Sequence, residues 1–417
     1  MSKSVKSVLI IGKVWPESRS SAAGSRMLQL IELFTENGFD THFASAASRS
    51  EYSDMLSNRV VCHDIKLNDA SFDHFVTGLN PTVVMFDRFM TEEQYGWRVA
   101  KQCPDAIRIL DTEDLHSLRQ TRQKCVNEGI LFQPESMLQE DITKREIAAI
   151  YRSDLTLMIS SYEMDLLRNL FNLAENYLFY LPFLLDPITD DERSEWLTYE
   201  QRDGFIMIGN FLHEPNRDAV KWLKKEIWPL IRAQLPDVNL NIYGSYASNS
   251  ELQMDSRKDG FYVHGRTDTL NQVIMKSKVM LAPLRFGAGL KGKLFDAMQS
   301  GTPSVTTTIG SEGISDAKKW CGSVNDEAKL FAEAAVKLYT NRVFWQDAQM
   351  RGVTILNNDF AKKEYNPSFI EKINELTENR DINRKNNFIG SMLMHHTMAG
   401  SRYMSKWIEE KEKRLGR

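Results

Sequence analysis

Short, nearly continuous apolar runs alternate along this chain with helix-length amphipathic segments. In the first half the runs are SVLIIG from Ser7, DTHFAS from Asp40, VVCHDI from Val60, TVVMFD from Thr82, AIRIL from Ala106 and LTLMIS from Leu155. A strand covered on both faces has no solvent side to leave polar, so runs of this kind predict a buried parallel sheet rather than a half-exposed antiparallel one. Between the first two, AAGSRMLQLIELFTENG carries Met27, Leu30, Ile31 and Phe34 at helical spacing, with Gly38 placed to end the helix. The alternation describes a doubly wound α/β fold.

The rhythm stops at residues 181–204, LPFLLDPITDDERSEWLTYEQRDG, where prolines and clustered charges break the apolar pattern. It resumes with FIMIGN from Phe205, a helix over about Asn216 to Gln234, NLNIYGS from Asn239, FYVHG from Phe261, VMLAPL from Val279 and SVTTT from Ser304. We read two Rossmann-like domains, an N-terminal one over 1–190 and a C-terminal one over 200–360. A C-terminal helical segment follows over 361–417 and is expected to pack back on the N-terminal domain. RDINRKNNFIGS, in the middle of that segment, interrupts its periodicity.

Length agrees with this division, since 417 residues are long for one core and comfortable for two. With 52 basic against 56 acidic side chains the net charge is -4, which argues against a nucleic-acid partner. No run approaches the roughly 18 uninterrupted apolar residues of a transmembrane segment, and MSKSVKSVLIIGK is too short in its apolar part for a signal peptide. The chain is therefore read as cytoplasmic, with peripheral attachment to a membrane left open. Cys62, Cys103, Cys125 and Cys321 lie far apart without C-x-x-C spacing, which predicts reduced, mostly buried thiols and neither a zinc site nor a disulfide framework.

The chemistry concentrates in LRFGAGLKGKLFDAMQSGTPSV, from Leu284. VMLAPL reads as a strand, KLFDAMQS as a helix closed by Gly301 with Pro303 beyond it, and RFGAGLKG as the turn between them. Helix N-termini carry unpaired N–H groups and partial positive charge, and glycines let the backbone approach an anion. Arg285, Lys291 and Lys293 add full charges, so the stretch suits a diphosphate at the carboxyl end of the strands. The competing reading is an ordinary glycine-rich turn with solvated lysines, and an exposed Lys293–Asp296 pair.

The second half, in FIMIGNFLHEPNRDAVKWLKKEIWPLI, YGS at Tyr243 and APLRFGAGLKGKLFDAMQSGTPSVTTTIGSEGI, resembles the nucleotide-sugar-binding domain of the family 4 glycosyltransferases. That resemblance implies a GT-B fold of two facing Rossmann domains and transfer of a sugar from a nucleotide-diphosphate donor, usually with retention and without a required metal or other cofactor. The family's E-x7-E signature falls with its second carboxylate at Asp296, implied to hold the ribose, and its first at Ala288, which cannot touch the sugar. Donor contacts are then expected from Arg285, Gly287, Ala288, Gly289, Leu290, Lys291, Gly292, Lys293 and Asp296, with amides near Ala288 to Leu290 helping to hold the sugar. The first half resembles the family only in its strand and helix rhythm.

Three places in the first half draw attention. GKVWPESRSSAAGSRM from Gly12 is the first strand-to-helix loop, with Gly24 near the helix start, and would face the donor phosphates; a mobile loop with Arg19 and Arg26 in solvent is the plainer account. MFDRF sets Asp87 and Arg88 at a strand end, as cleft residues or as a local ion pair. RILDTEDLHSLR gathers Asp111, Glu113, Asp114 and His116 after a strand, a group able to orient hydroxyls or accept a proton, or else helix caps and solvated charges. Asp114, His116 and Lys291 are taken as the catalytic candidates, and His395 and His396 as structural.

Together these readings predict a glycosyltransferase, in polysaccharide biosynthesis or a related pathway, with a glycan, lipid-linked or protein acceptor that the sequence leaves open. A nucleotide-sugar epimerase of the same fold and a non-catalytic nucleotide-binding subunit are the alternatives, the latter because of Ala288.

Overall fold

The computed structural model describes residues 6–18, 20–53, 56 and 58–414. A first sheet contains β1 (Ser7–Gly12), β2 (Asp40–Ser45), β3 (Val60–Asp64), β4 (Val83–Asp87), β5 (Ile107–Asp111), β6 (Leu155–Met158) and β7 (Leu178–Tyr180), in the order β3-β2-β1-β4-β5-β6-β7. A second contains β8 (Phe205–Ile208), β9 (Leu240–Tyr243), β10 (Phe261–Gly265), β11 (Val279–Ala282), β12 (Ser304–Thr306) and β13 (Gly322–Val324), in the order β10-β9-β8-β11-β12-β13. Every pairing is parallel. Strand order reverses between β1 and β4 in one sheet and between β8 and β11 in the other. The loops leaving these four strands therefore open a crevice in each domain, and the two crevices face each other.

Central strands match their apolar runs: Val8, Leu9, Ile10 and Ile11 are fully buried, as are Val83 to Phe86. The exception is VVCHDI. β3 lies at the edge of its sheet, so Val61 is 46% exposed and Cys62 is exposed too. The other three cysteines are buried, and all four are free thiols. The short strands β7 and β13 lack a run long enough to announce them. Met27, Leu30, Ile31 and Phe34 all turn inward from the helix Ala22–Glu36. The helix foreseen from about Asn216 starts at Glu214 and reaches Gln234 through a π turn at Leu223–Ile227. Pro229 is the physical reason, because its ring would collide with the carbonyl four residues earlier in a regular α-helix.

The chain crosses between domains twice, and the crossings are bonded together: Leu185 N–H donates to the Phe360 carbonyl at 2.9 Å and Lys362 N–H to the Leu185 carbonyl at 2.8 Å. Two long helices then return to the first domain, Lys362–Asn386 and Phe388–Arg414. Phe369 packs on Phe34 and Phe179, both at 5.7 Å between ring centroids. Arg384 grips Asp154 and the Pro104 and Ala106 carbonyls. The helix continues through RDINRK and breaks only at Asn387, whose side chain donates to the Tyr151 carbonyl at 2.7 Å. Arg19 and the side chain of His396 lie outside the described residues.

Apolar packing spans the interdomain boundary. Ile159 and Phe183 of the first domain share a cluster with Leu290, Leu294, Phe295 and Ile314 of the second. Phe183 meets Phe295 edge to face at 4.9 Å. At about 25 cal/mol per Å2 such burial favours the closed arrangement.

Candidate active site

The domains enclose a cleft of about 820 Å3, lined from both sides. On the second domain the chain leaves β11, passes the glycine-rich stretch and enters the helix Gly292–Gln299. Lys291, the residue before it, offers no side-chain cap. The Leu294 amide closes a turn onto the Lys291 carbonyl at 2.8 Å, so Gly292 and Lys293 supply the amides at the helix entrance. Lys293 extends to the Asn216 side-chain oxygen at 2.5 Å. Lys291 is buried and folds back on the Gly289 carbonyl at 2.7 Å. Burial lowers both ammoniums, Lys291 to about 8 and Lys293 to about 7, although Glu312 in one case and Asp296 in the other pull upward. Asp296, one turn along, is pushed up to about 7 by burial against the pull of Lys293. The competing reading, an exposed Lys293–Asp296 pair, does not hold among the described residues, because the lysine is committed to Asn216.

On the first domain, β4 and β5 end side by side. Arg88 and Glu113, each just beyond its strand, have left-handed backbones with φ of 70° and 60°. Side chains rarely tolerate this region, and such strain clusters at functional sites. Asp114 is ion-paired with Arg119 and has an oxygen 3.3 Å from His116 Nδ1. Burial works to raise the Asp114 carboxyl, but Arg119, His116 and Arg88 outweigh it and hold it below the usual range. His116 is lowered to about 4 by burial, despite Asp114, so its imidazole is neutral at physiological pH. The helix His116–Glu128 is capped by a residue from elsewhere in the chain: Glu146 accepts the His116 and Ser117 amides at 2.7 and 2.8 Å. Neither Asp111 nor Asp114 caps it. Asp111 is buried against Arg26 at 2.8 Å, which also takes Arg26 out of the solvent where a mobile loop would leave it.

The two walls touch through residues for which the sequence offers little signal. Arg122 forms a two-pronged pair with Glu312 at 2.8 and 2.7 Å and donates to the Gly287 carbonyl at 2.9 Å. Glu163, wholly buried, accepts the Gly289 amide at 2.7 Å and the Leu115 amide at 3.3 Å through one oxygen. Glu163 occurs just after the LTLMIS strand end, the position in this fold that feeds the crevice, and that placement is its only sequence cue. A Cβ on Gly289 would lie 2.9 Å from Asp114 Cβ, and one on Gly292 only 2.5 Å from Ala22 Cβ. The glycines thus permit close approach of the opposite domain.

Of the sequence candidates, Asp114, His116, Gly24, Gly287, Ala288, Gly289, Leu290, Lys291, Gly292, Lys293 and Asp296 line the cleft together. Two expectations need correction. Arg285 points away, paired in two-pronged fashion with Asp218 and 40% exposed, because it follows the strand on the face opposite Leu284 and Phe286. The Gly289 amide is not available to a sugar in this arrangement, being bonded to Glu163. Gly24 lies under Glu17, whose backbone would be 2.4 Å from a Cβ there, and its amide bonds the Ser21 hydroxyl. Among the described residues no group of three His, Cys, Asp or Glu side chains is arranged to hold a metal ion. Among them, too, no helix is long and apolar enough to cross a membrane.

Residues 202–341, the domain with the glycine-rich stretch, match the family described as Glycosyl transferases group 1. With two facing parallel sheets, the chain has the GT-B arrangement, and its second domain is similar to the glycosyltransferases of this group. Among curated proteins it is 24% identical over 175 residues to an uncharacterized 44.6 kDa protein in the cps region of Klebsiella pneumoniae; the alignment takes in 40% of this chain and 45% of that one. Among solved structures it resembles sucrose-phosphate synthase from Thermosynechococcus elongatus, at 15% identity and a TM-score of 0.66 over 89% of this chain and 99% of the other. It also resembles the pneumococcal O-GlcNAc transferase GtfA in complex with UDP and GlcNAc, at 12% identity and a TM-score of 0.64 over 89% and 99%. At these identities the structures establish the fold they share.

Proposed function

We propose that this chain transfers a sugar from a nucleoside-diphosphate sugar to a glycan or lipid-linked acceptor, with retention at the anomeric carbon and without a metal. The observation that carries this reading is the cleft wall lined by Lys291, Lys293 and the Gly292 and Lys293 amides, where among the described residues no carboxylate is in ion-pair contact with either ammonium. Two cleft cations whose protons are loosened by desolvation call for an anion, and a diphosphate would satisfy both. Asp296 then lies at ribose distance along the helix. Across the cleft, Asp114 and neutral His116 can orient the reacting hydroxyls.

In the retaining reaction the acceptor oxygen bonds to the anomeric carbon as the sugar–phosphate bond breaks. The acceptor proton passes to the departing phosphate oxygen. The main demand on the protein is to stabilise charge on that phosphate, a task suited to Lys291, Lys293 and the helix entrance. UDP is the first nucleotide to try, since similar folds bind UDP with glucose or GlcNAc. A surface polysaccharide is a reasonable acceptor class given the cps-region relative.

The test is a thermal-shift panel of UDP, GDP, CDP, ADP and dTDP, with and without chelator, followed by their sugar conjugates. One nucleoside diphosphate should stabilise the chain equally in chelator, because a ligand specific to the folded state raises its stability. Binding that requires magnesium or manganese would refute the metal-free reading. Donor turnover without an acceptor would point to an epimerase, and binding without any turnover to a non-catalytic subunit.

A further inference from the structure

The part of the second domain that would receive the donor sugar offers it no polar side chain. Asp296 marks the ribose end of the helix Gly292–Gln299, so the sugar falls on the other side of the helix entrance, against residues 287–290. There the Gly287 carbonyl is taken by Arg122, the Gly289 amide by Glu163 and the Gly289 carbonyl by Lys291. Ala288 and Leu290 bring no polar side-chain atom, and Ala288 packs against the apolar core of the first domain. A sugar presents several hydroxyls, and each buried one needs a partner.

Facing this apolar wall is Glu113. Its carbonyl lies 3.2 Å from where a Cβ of Gly289 would be, so the two backbones are in contact. Its side chain lines the cleft and is 9% exposed, and its buried Oε1 has no hydrogen-bond partner. Resting on the reading of the cleft as a nucleotide-sugar site, we propose that Glu113 is the residue that binds the donor sugar's hydroxyls and selects among sugars. The carboxyl reaches the sugar from the opposite domain, so selection requires the closed cleft. Burial and the neighbouring Asp111 and Asp87 carboxylates hold the Glu113 proton well above the ordinary range, against Arg88 and Arg26. A protonated carboxyl both donates and accepts, as a pair of sugar hydroxyls demands. The strained φ of 60° aims the group, in keeping with strain stored at ligand sites.

The test uses the full chain with Glu113→Gln and Glu113→Gly, the latter accepting the left-handed backbone without strain. Titration calorimetry compares the nucleoside diphosphate that wild type binds, of UDP, GDP, CDP, ADP and dTDP, with its glucose, galactose and N-acetylglucosamine conjugates. In both variants affinity for the bare diphosphate should stay within about twofold, while the tenfold or greater preference of wild type for one sugar collapses, since a site built to bond a hydroxyl discriminates through that bond. The melting temperature of Glu113→Gly should equal or exceed that of wild type. Variants that retain the wild-type sugar preference overturn the proposal while leaving the donor site standing. Diphosphate affinity and melting temperature falling together would make Glu113 structural and overturn it equally. Failure of every nucleoside diphosphate to bind wild type would remove the donor-site reading, and this inference with it.

Discussion

Glu163 and Gly289 belong to different domains, yet a single carboxyl oxygen of Glu163 accepts the Gly289 amide at 2.7 Å and the amide of Leu115, two residues from Glu113, at 3.3 Å. The loop that would hold the donor and the loop that carries Asp114 and His116 are thereby tied to one atom. Burial, reinforced by Asp114, pushes the Glu163 carboxyl up to about 8 from an ordinary 4.5. The folded chain then keeps a proton that the unfolded chain has released, so this group's contribution to stability is lost as pH rises from about 4.5 to about 8. Glu163→Gln, which still accepts both amides, should remove that slope. Its melting temperature relative to wild type is expected to climb between pH 5 and pH 8, and a constant gap would show that Glu163 does not titrate in this window.

The Arg122–Glu312 pair is almost fully buried between the domains, with side chains 5% and 10% exposed. Removing one partner strands the other without compensation, which typically costs about 3 kcal/mol or more. Arg122→Ala and Glu312→Ala should each lower the urea midpoint strongly. The double variant should lose less than the sum, because the second removal takes away the stranded charge. Additive losses would mean that the pair is not coupled.

Removing Lys291 or Lys293 should weaken nucleoside-diphosphate binding by about ten- to a hundredfold, the range of a charge-assisted hydrogen bond. Asp296→Asn should cost less, and a nucleoside without phosphates should sense Asp296 but not Lys291. Because burial brings these ammoniums down to about 8 and about 7, they lose their protons as pH rises through that range. Diphosphate affinity should accordingly fall between pH 7 and pH 9, with proton uptake on binding visible in buffers of different ionisation enthalpy. Flat affinity over that range in wild type, or unchanged affinity in the combined Lys291→Ala and Lys293→Ala chain, would move the donor elsewhere.

His116 and Asp114 lie on the wall opposite the lysines. His116→Ala should reduce sugar transfer on the order of a hundredfold, as loss of a positioned polar group does, and leave diphosphate affinity nearly intact. With the imidazole lowered to about 4, the transfer rate should show no acid limb near the ordinary histidine value of 6.5. Equal loss of binding and transfer would assign the residue to structure.

Gly292 can be tested through its neighbour. Gly292→Ala places a methyl 2.5 Å from Ala22 Cβ, so it should force the domains apart and increase proteolysis at the crossings near Leu185 and Phe360. Ala22→Gly in the same chain should restore resistance. No rescue would indicate that the added methyl acts within its own helix.

How much of this was legible in advance depends on whether the information is local. Apolar runs fix burial along a strand, so β1, β2, β4, β5, β6 and β8 follow from the sequence, as does the turn and helix at Gly292–Gln299 with Gly301 in the left-handed conformation behind it. The grouping of Asp114 with His116, and of Lys291 with Lys293 and Asp296, is local for the same reason. What the run VVCHDI could not carry was its place at the sheet edge, because strand order is decided by the helices that cross between strands. Arg285 looked like a phosphate ligand until Asp218, 67 positions away, claimed it. Asp111 found Arg26, the helix at His116 was capped by Glu146, and Gly289 met Glu163. Each of these partnerships joins charges or amides far apart in the chain, and a buried polar group takes whichever partner the packed domains bring within 3 Å. Periodicity records which residues leave water; only the closed tertiary structure decides what meets them there.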